Sequence, residues 1–155
     1  GLSDAGLIEL NRRHPNVSIL KAESDALSSA RLAEAANGAF TLFNGRNGID
    51  QMDMLRAGFS GVIPSPDASD REARIYELYR AGNFDAAEDE FRKILPLLMF
   101  LMISIEHLVC YGKRLTARSC SIADVHDRGP ALPTHAFGMD SLDFWSRDLG
   151  ALGNG

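Results

Sequence analysis

The sequence predicts an α/β fold on parallel strands that passes into an all-helical segment. Over roughly the first 66 residues, short apolar runs of strand character alternate with helical runs, joined by short linkers. Strands in that arrangement need helical crossovers and are therefore parallel. They are also apolar on both faces, as expected where helices cover one side and a packed interior the other. From Asp67 onward the strand pattern does not recur.

The elements follow in order. Leu2, Leu7, Ile8 and Leu10, with Arg12 and Arg13, predict a short amphipathic helix capped by Ser3 or Asp4. His14-Pro15-Asn16 stops it, because proline disfavours helical geometry in the residue before it. Val17 to Ala22 is the first strand. The Ala-rich run Ala26 to Ala36 is a helix that ends in left-handed fashion at Asn37-Gly38. Phe40 to Phe43 is the second strand, followed by the turn "NGRNG". A helix from Asp50 to about Ala57 ends at Gly58, and Gly61 to Ile63 is a third strand stopped by Pro64 and Pro66.

Asp67 is expected to cap a helix that runs to about Arg80, and Gly82-Asn83 breaks it. A long helical stretch then opens at Phe84. Glu88 with Arg92 and Asp89 with Lys93 are i,i+4 pairs on its wet face, each worth about 0.2–0.5 kcal/mol. Pro96 is expected to kink or restart this helix. A loop rich in Pro and Gly (Gly129, Pro130, Pro133) precedes a last amphipathic helix near Asp140 to Leu149. The domain division is 1–66 and 67–155. Three parallel strands cannot close a barrel, so the topology reads as part of a larger one.

Composition narrows the function classes. The chain has 155 residues, 45% of them hydrophobic and 24% charged, which fits a globular domain. With a net charge of −5 and no Lys- or Arg-rich segment, nucleic acid and acidic membrane surfaces are not expected partners. The most apolar run, Ile94 to Ile105, falls short of the roughly 20 residues of a membrane span and carries Pro96. The opening Gly-Leu-Ser-Asp has no basic region or long apolar core of a secretory leader, so a cytoplasmic location is expected. Cys110 and Cys120 fit reduced thiols, buried or idle. His14, His107, His126 and His135 have no metal-ligand spacing, so no metal is expected. His107 reads as an interior or interface histidine, and Met99, Phe100 and Met102 as core or interface.

The candidate chemistry lies at the ends of the strands. Side chains alternate along a strand, so Val17, Ile19, Lys21 and Glu23 share one face, with Ser18, Leu20 and Ala22 on the other. Lys21 ends a strand, where the active site of a parallel barrel lies. One reading is a lysine snorkelling at a strand exit. The other is an amine in an apolar cavity, which loses its proton more readily and can attack a ketone. Glu23 reads as a solvated strand-end carboxylate, with tuning of the amine as the alternative. The glycine turn reads as a plain tight turn before a carboxylate- or phosphate-binding loop. Ser65 has no flanking base and reads as a cap or turn residue.

Taken in order, these segments resemble the dihydrodipicolinate synthase / N-acetylneuraminate lyase family of class I aldolases. "VSILKAES" looks like the family's strand six with its Schiff-base lysine, and "FTLFNGRNG" like strand seven and its glycine turn. "LRAGFSGVIPS" is similar to the "GVIS" segment of strand eight. "AGNFDAAEDEFRKILPLL" resembles the first helical hairpin after the barrel, and "GKRLTARSCSIADVHDRGPALP" the later stretch leading to an Arg and Pro pair.

The resemblance implies the C-terminal half of a (β/α)8 TIM barrel: helix five to strand eight over 1–66, then the last barrel helix and extra C-terminal helices over 67–155. It implies Lys21 as the imine-forming residue, Gly45 as the strand-seven glycine that meets substrate, Ile63 offering its carbonyl near the lysine, and Ser65 touching the substrate tail. The substrate would be a 2-oxo acid, pyruvate or a 2-keto-3-deoxy acid, without metal or organic cofactor. The assembly would be a homotetramer, with an N-terminal half-barrel as a further partner. A whole barrel takes about 250 residues. Strands one to five, with the threonine-rich carboxylate loop and the catalytic tyrosine, have no counterpart in this sequence. Ala22 stands where the synthases carry an acidic residue. Asn47 and Gly48 replace two acidic residues of the sialic-acid lyases, which argues against a sialic-acid substrate. The contrasting expectation is a non-catalytic half-barrel that serves as a structural or interaction subunit.

Overall fold

The computed structural model describes residues 1–129 and 131–149, with the side chain of Asp148 excepted. Pro130 of the predicted loop and residues 150–155 of the predicted extension lie outside the described residues. The chain divides into two compact units, Gly1–Ile63 and Pro64–Gly155.

The first unit is a three-stranded parallel sheet with helices on one face. Helix α1 (Asp4–Arg13) is capped by Ser3, whose hydroxyl accepts the Gly6 N–H. Strand β1 (Ile19–Ala22) begins two residues later than predicted. Val17 belongs to the turn instead: its N–H donates to the His14 carbonyl, and its carbonyl accepts from the Asn11 amide. Helix α2 (Ala26–Ala36) has Asp25 as its N-cap and ends at left-handed Asn37 (φ 44°). Strand β2 (Thr41–Asn44), helix α3 (Gln51–Arg56) and strand β3 (Gly61–Val62) complete the unit.

Sheet order is β1-β2-β3, with Lys21 opposite Phe43 and Phe43 opposite Gly61. The core lies on the Leu20/Ala22/Leu42 side of the sheet, against Leu32, Ala36, Met54 and Phe59. The other side is open: Ile19 is 66% exposed, and Thr41 and Lys21 are exposed beside half-buried Phe43. One covered and one bare face is what a segment of a parallel barrel presents when the rest of the barrel is not beside it.

The second unit is helical. Helix α4 (Ser69–Arg80) starts without a side-chain cap. Asp67, predicted to be that cap, is buried two residues earlier and accepts a hydrogen bond from the Ser65 hydroxyl. Helix α5 (Phe84–Leu101) continues through Pro96 without restarting. Ile94, Leu97, Leu98 and Leu101 are all fully buried, and their packing offsets the roughly 3 kcal/mol that an interior proline costs. The break falls at Met102 instead, where Ser104 caps a new helix by accepting the His107 N–H at 3.1 Å. The chain turns by 103° there. On the wet face Arg92 pairs with Glu88 as predicted, whereas Lys93 reaches Glu90 at 2.6 Å rather than Asp89.

Helix α6 (Ile105–His107), a π-helical turn (Leu108–Gly112) and helix α7 (Lys113–Ser119) follow. Helix α8 (Ala136–Ser146) starts four residues before the predicted Asp140, because the His135 ring accepts the Phe137 N–H and serves as its cap. Tyr111 packs its hydroxyl against Gly138, where no side chain would fit. His107 stands between Phe100 and Tyr111, with ring centroids 4.7 and 4.5 Å away. Among the described residues no single helix is long and apolar enough to cross a membrane.

Candidate functional site

The site is built at the C-terminal ends of β1 and β2. The ladder continues past the strands: the Gly45 N–H donates to the Ala22 carbonyl at 2.8 Å and the Ile63 N–H to the Asn44 carbonyl at 2.8 Å. These two bonds set the strand exits, residues 23, 45 and 63, side by side.

Lys21 lies on the open face with its side chain 43% exposed, and its Nζ is 2.5 Å from Glu23 Oε1. Alternation along the strand makes them neighbours, since residues i and i+2 share a face. The other carboxylate oxygen, Glu23 Oε2, accepts the Arg46 backbone N–H at 2.9 Å. Both oxygens are thus engaged, one by the amine and one by the turn. Glu23 is exposed, as expected of a strand-end carboxylate, and it also bridges β1 and the loop after β2. The Lys21 ammonium holds the Glu23 carboxyl below the usual glutamate range, the Arg46 N–H adds to this, and partial burial opposes it.

The turn is shaped to receive that carboxylate. Arg46, Asn47 and Gly48 all have positive φ (52°, 51° and 69°), an unusual run for two non-glycine residues. At Gly45 a Cβ would collide with the Glu23 carboxyl group. The glycine turn therefore does bind a carboxylate, but one supplied by this chain. The Arg46 guanidinium folds back onto Asp50 at 2.6 Å. Burial pushes the Asp50 carboxyl up, and the Arg46 charge opposes it.

Lys21 and Glu23 also line a cleft of about 330 Å³ shared with Leu7, Leu20, Ser28 and Arg31. Asn44, at the end of β2, is buried with neither amide atom hydrogen-bonded.

Of the sequence-derived candidates, Lys21 and Gly45 come together through Glu23. Ile63 leaves the ladder at the end of β3 with its side chain 43% exposed. Ser65 belongs to the second unit, where its hydroxyl donates to Asp67. Ser65 lines a larger, mainly apolar cavity of about 410 Å³ within that unit, with Leu108, Val109, Thr116 and Val125. Sequence reasoning undervalued Glu23. The signal available was its i+2 spacing from Lys21; the left-handed geometry of Arg46, which turns an N–H toward it, carries no signature in the residue type.

The sequence matches no protein-family model and no curated protein. Among solved structures it is similar to dihydrodipicolinate synthase from Thermotoga maritima, with a TM-score of 0.83 at 21% identity over 96% of this chain and 51% of that one. It is similar to 4-hydroxy-tetrahydrodipicolinate synthase from Methylacidiphilum fumariolicum SolV (TM-score 0.77, 19% identity, 94% of this chain and 48% of that one). A third, dihydrodipicolinate synthase from Rhodopseudomonas palustris, gives a TM-score of 0.73 at 18% identity over 83% and 44%. The chain spans about half the length of these structures.

Proposed function

From the fold of about half a dihydrodipicolinate synthase barrel, we propose that this chain is part of a Schiff-base-forming lyase, aldolase or dehydratase. Its substrate would be pyruvate or a 2-keto-3-deoxy acid. The observation that carries this reading is the placement of Lys21, on the open face of a parallel sheet and at the strand ends, beside a glycine turn. Lys21 is the nucleophile. Its amine adds to the ketone carbon of the 2-oxo acid, water leaves, and the protonated imine accepts electrons when the adjacent bond is made or broken. Gly45 keeps the loop backbone close to the substrate, Ile63 offers a carbonyl and Ser65 a hydroxyl to its tail. No cofactor is required by this chemistry.

The open face and the sheet edges at β1 and β3 favour completion by an N-terminal half-barrel, within a cytoplasmic homo-oligomer. The test is borohydride reduction in the presence of pyruvate, read by intact mass. A reduced adduct supports the reading; its absence, with the chain alone and with a complementary barrel half supplied, sinks it.

One observation favours a second reading, a non-catalytic half-barrel acting as an interaction subunit. Both of the polar side chains assigned to substrate are already engaged within the chain, Lys21 with Glu23 and Ser65 with Asp67. A stable complex with the complementary half, without any adduct, is the result that reading expects.

A further inference from the structure

An amine that attacks a ketone must first lose a proton, and the hydroxyl of the resulting carbinolamine must gain one before it leaves as water. We propose that Glu23 performs both transfers at Lys21 Nζ, an inference that rests on the imine chemistry assigned to Lys21 above.

The geometry carries it. Glu23 Oε1 is 2.5 Å from Lys21 Nζ, inside hydrogen-bond reach of the proton to be moved. Its partner oxygen is fixed by the Arg46 N–H at 2.9 Å, so the carboxylate is oriented rather than free to swing. Gly45 leaves the space that the carboxylate occupies. Arg46 holds its N–H in place from a left-handed conformation that an L residue seldom adopts. A salt bridge with no further role needs neither the vacant Cβ position nor the left-handed arginine, since exposed pairs contribute little to stability.

The step balances as follows. The Lys21 ammonium passes one proton to the Glu23 carboxylate as the nitrogen lone pair adds to the ketone carbon. A second nitrogen proton moves to the former ketone oxygen, giving the neutral carbinolamine. Glu23 then returns its proton to that hydroxyl, the C–O bond breaks, and water departs. Overall, ammonium plus ketone gives protonated imine plus water, and Glu23 ends as it began. Nothing is oxidised or reduced.

The test uses the full chain with pyruvate as probe and samples quenched in borohydride over time. In the Glu23→Gln variant the rate of adduct formation is expected to fall about 100-fold or more, the low end of general acid–base contributions. The pH profile also distinguishes the roles. Across neutral pH the wild-type rate is nearly flat, because the Glu23 base is held below the usual glutamate range and is already ionised there. The variant's rate rises in proportion to hydroxide, which must do the deprotonation. Added formate restores the rate of Glu23→Ala in a concentration-dependent way, a readout that a merely structural carboxylate would not give. An adduct in the wild type with unchanged rate and pH profile in Glu23→Gln overturns this inference alone. No adduct in the wild type, alone and with a complementary barrel half supplied, overturns it together with the reading on which it rests.

Discussion

The Glu23 carboxylate lies over the Cα of Gly45, in space that any side chain at position 45 would take. Gly45 itself has φ −95° and ψ −138°, outside the left-handed region that calls for glycine. The glycine serves the approach of the carboxylate, not the backbone. Gly45→Ala is therefore expected to leave the urea midpoint within about 1 kcal/mol of wild type, with a slight entropic gain from a stiffer unfolded chain. It is expected to push Glu23 off Lys21 and slow borohydride-trapped adduct formation as Glu23→Gln does. A variant that unfolds, or one that traps at the wild-type rate, contradicts this account of Gly45.

The Glu23 carboxyl titrates low because of Lys21 first and the Arg46 N–H second. Its folded value lies below the unfolded one. The pairing therefore adds stability above the unfolded value and loses it as pH falls through the folded value. Both side chains are substantially exposed, so the effect on overall stability is small. The midpoint is the better observable: carboxyl chemical shifts place Glu23 below the other exposed glutamates. In Lys21→Met it moves up toward them, and an unmoved midpoint would mean the pair is not formed.

Glu72 on α4 is fully buried, and burial with the nearby Asp67 charge raises its carboxyl to about 9. Here the folded value exceeds the unfolded one. The folded chain keeps a proton that the unfolded chain releases, so stability falls as pH rises from the ordinary glutamate value toward about 9. Between pH 5 and 8 this loss is on the order of 4 kcal/mol. Glu72→Gln is expected to flatten the dependence and raise the urea midpoint at pH 8, with little change at pH 5. Equal pH dependence in both proteins would count against it.

Pro96 sits inside α5, where it withholds one backbone donor from the helix. Pro96→Ala restores that bond and is expected to stabilise the helical unit by about 1–2 kcal/mol, the helix gain less the lost rigidity of the unfolded chain. Chemical denaturation reads this directly, and a destabilised variant would contradict it.

How much was legible in the sequence differs between local and non-local features. The end of α2 could be read because its signal, Asn37-Gly38, is short-range and chemically specific. The parallel order followed from alternation. Strand ends slipped by one or two residues, because Val17 and Phe40 are apolar enough for a strand but are claimed by turn and core. The fate of Pro96 was not legible: local propensity argues for a break, and only the buried Ile94, Leu97, Leu98 and Leu101 decide otherwise. Lys21 could be singled out by its place on a strand. Glu23 stood beside it at i+2, but its anchoring by Arg46 could not be read, because that bond joins residues 23 positions apart.

The central claim is that Lys21 forms the imine, and the sequence permits a direct test because it contains just three lysines, Lys21, Lys93 and Lys113. Lys93 pairs with Glu90 on an exposed helix face, and Lys113 Nζ donates to the His126 carbonyl at 2.9 Å. Peptide mapping after pyruvate and borohydride therefore discriminates among them. The account predicts a reduced adduct on the Lys21 peptide that is lost in Lys21→Met. An adduct spread over all three peptides, or confined to Lys93 or Lys113, would contradict it.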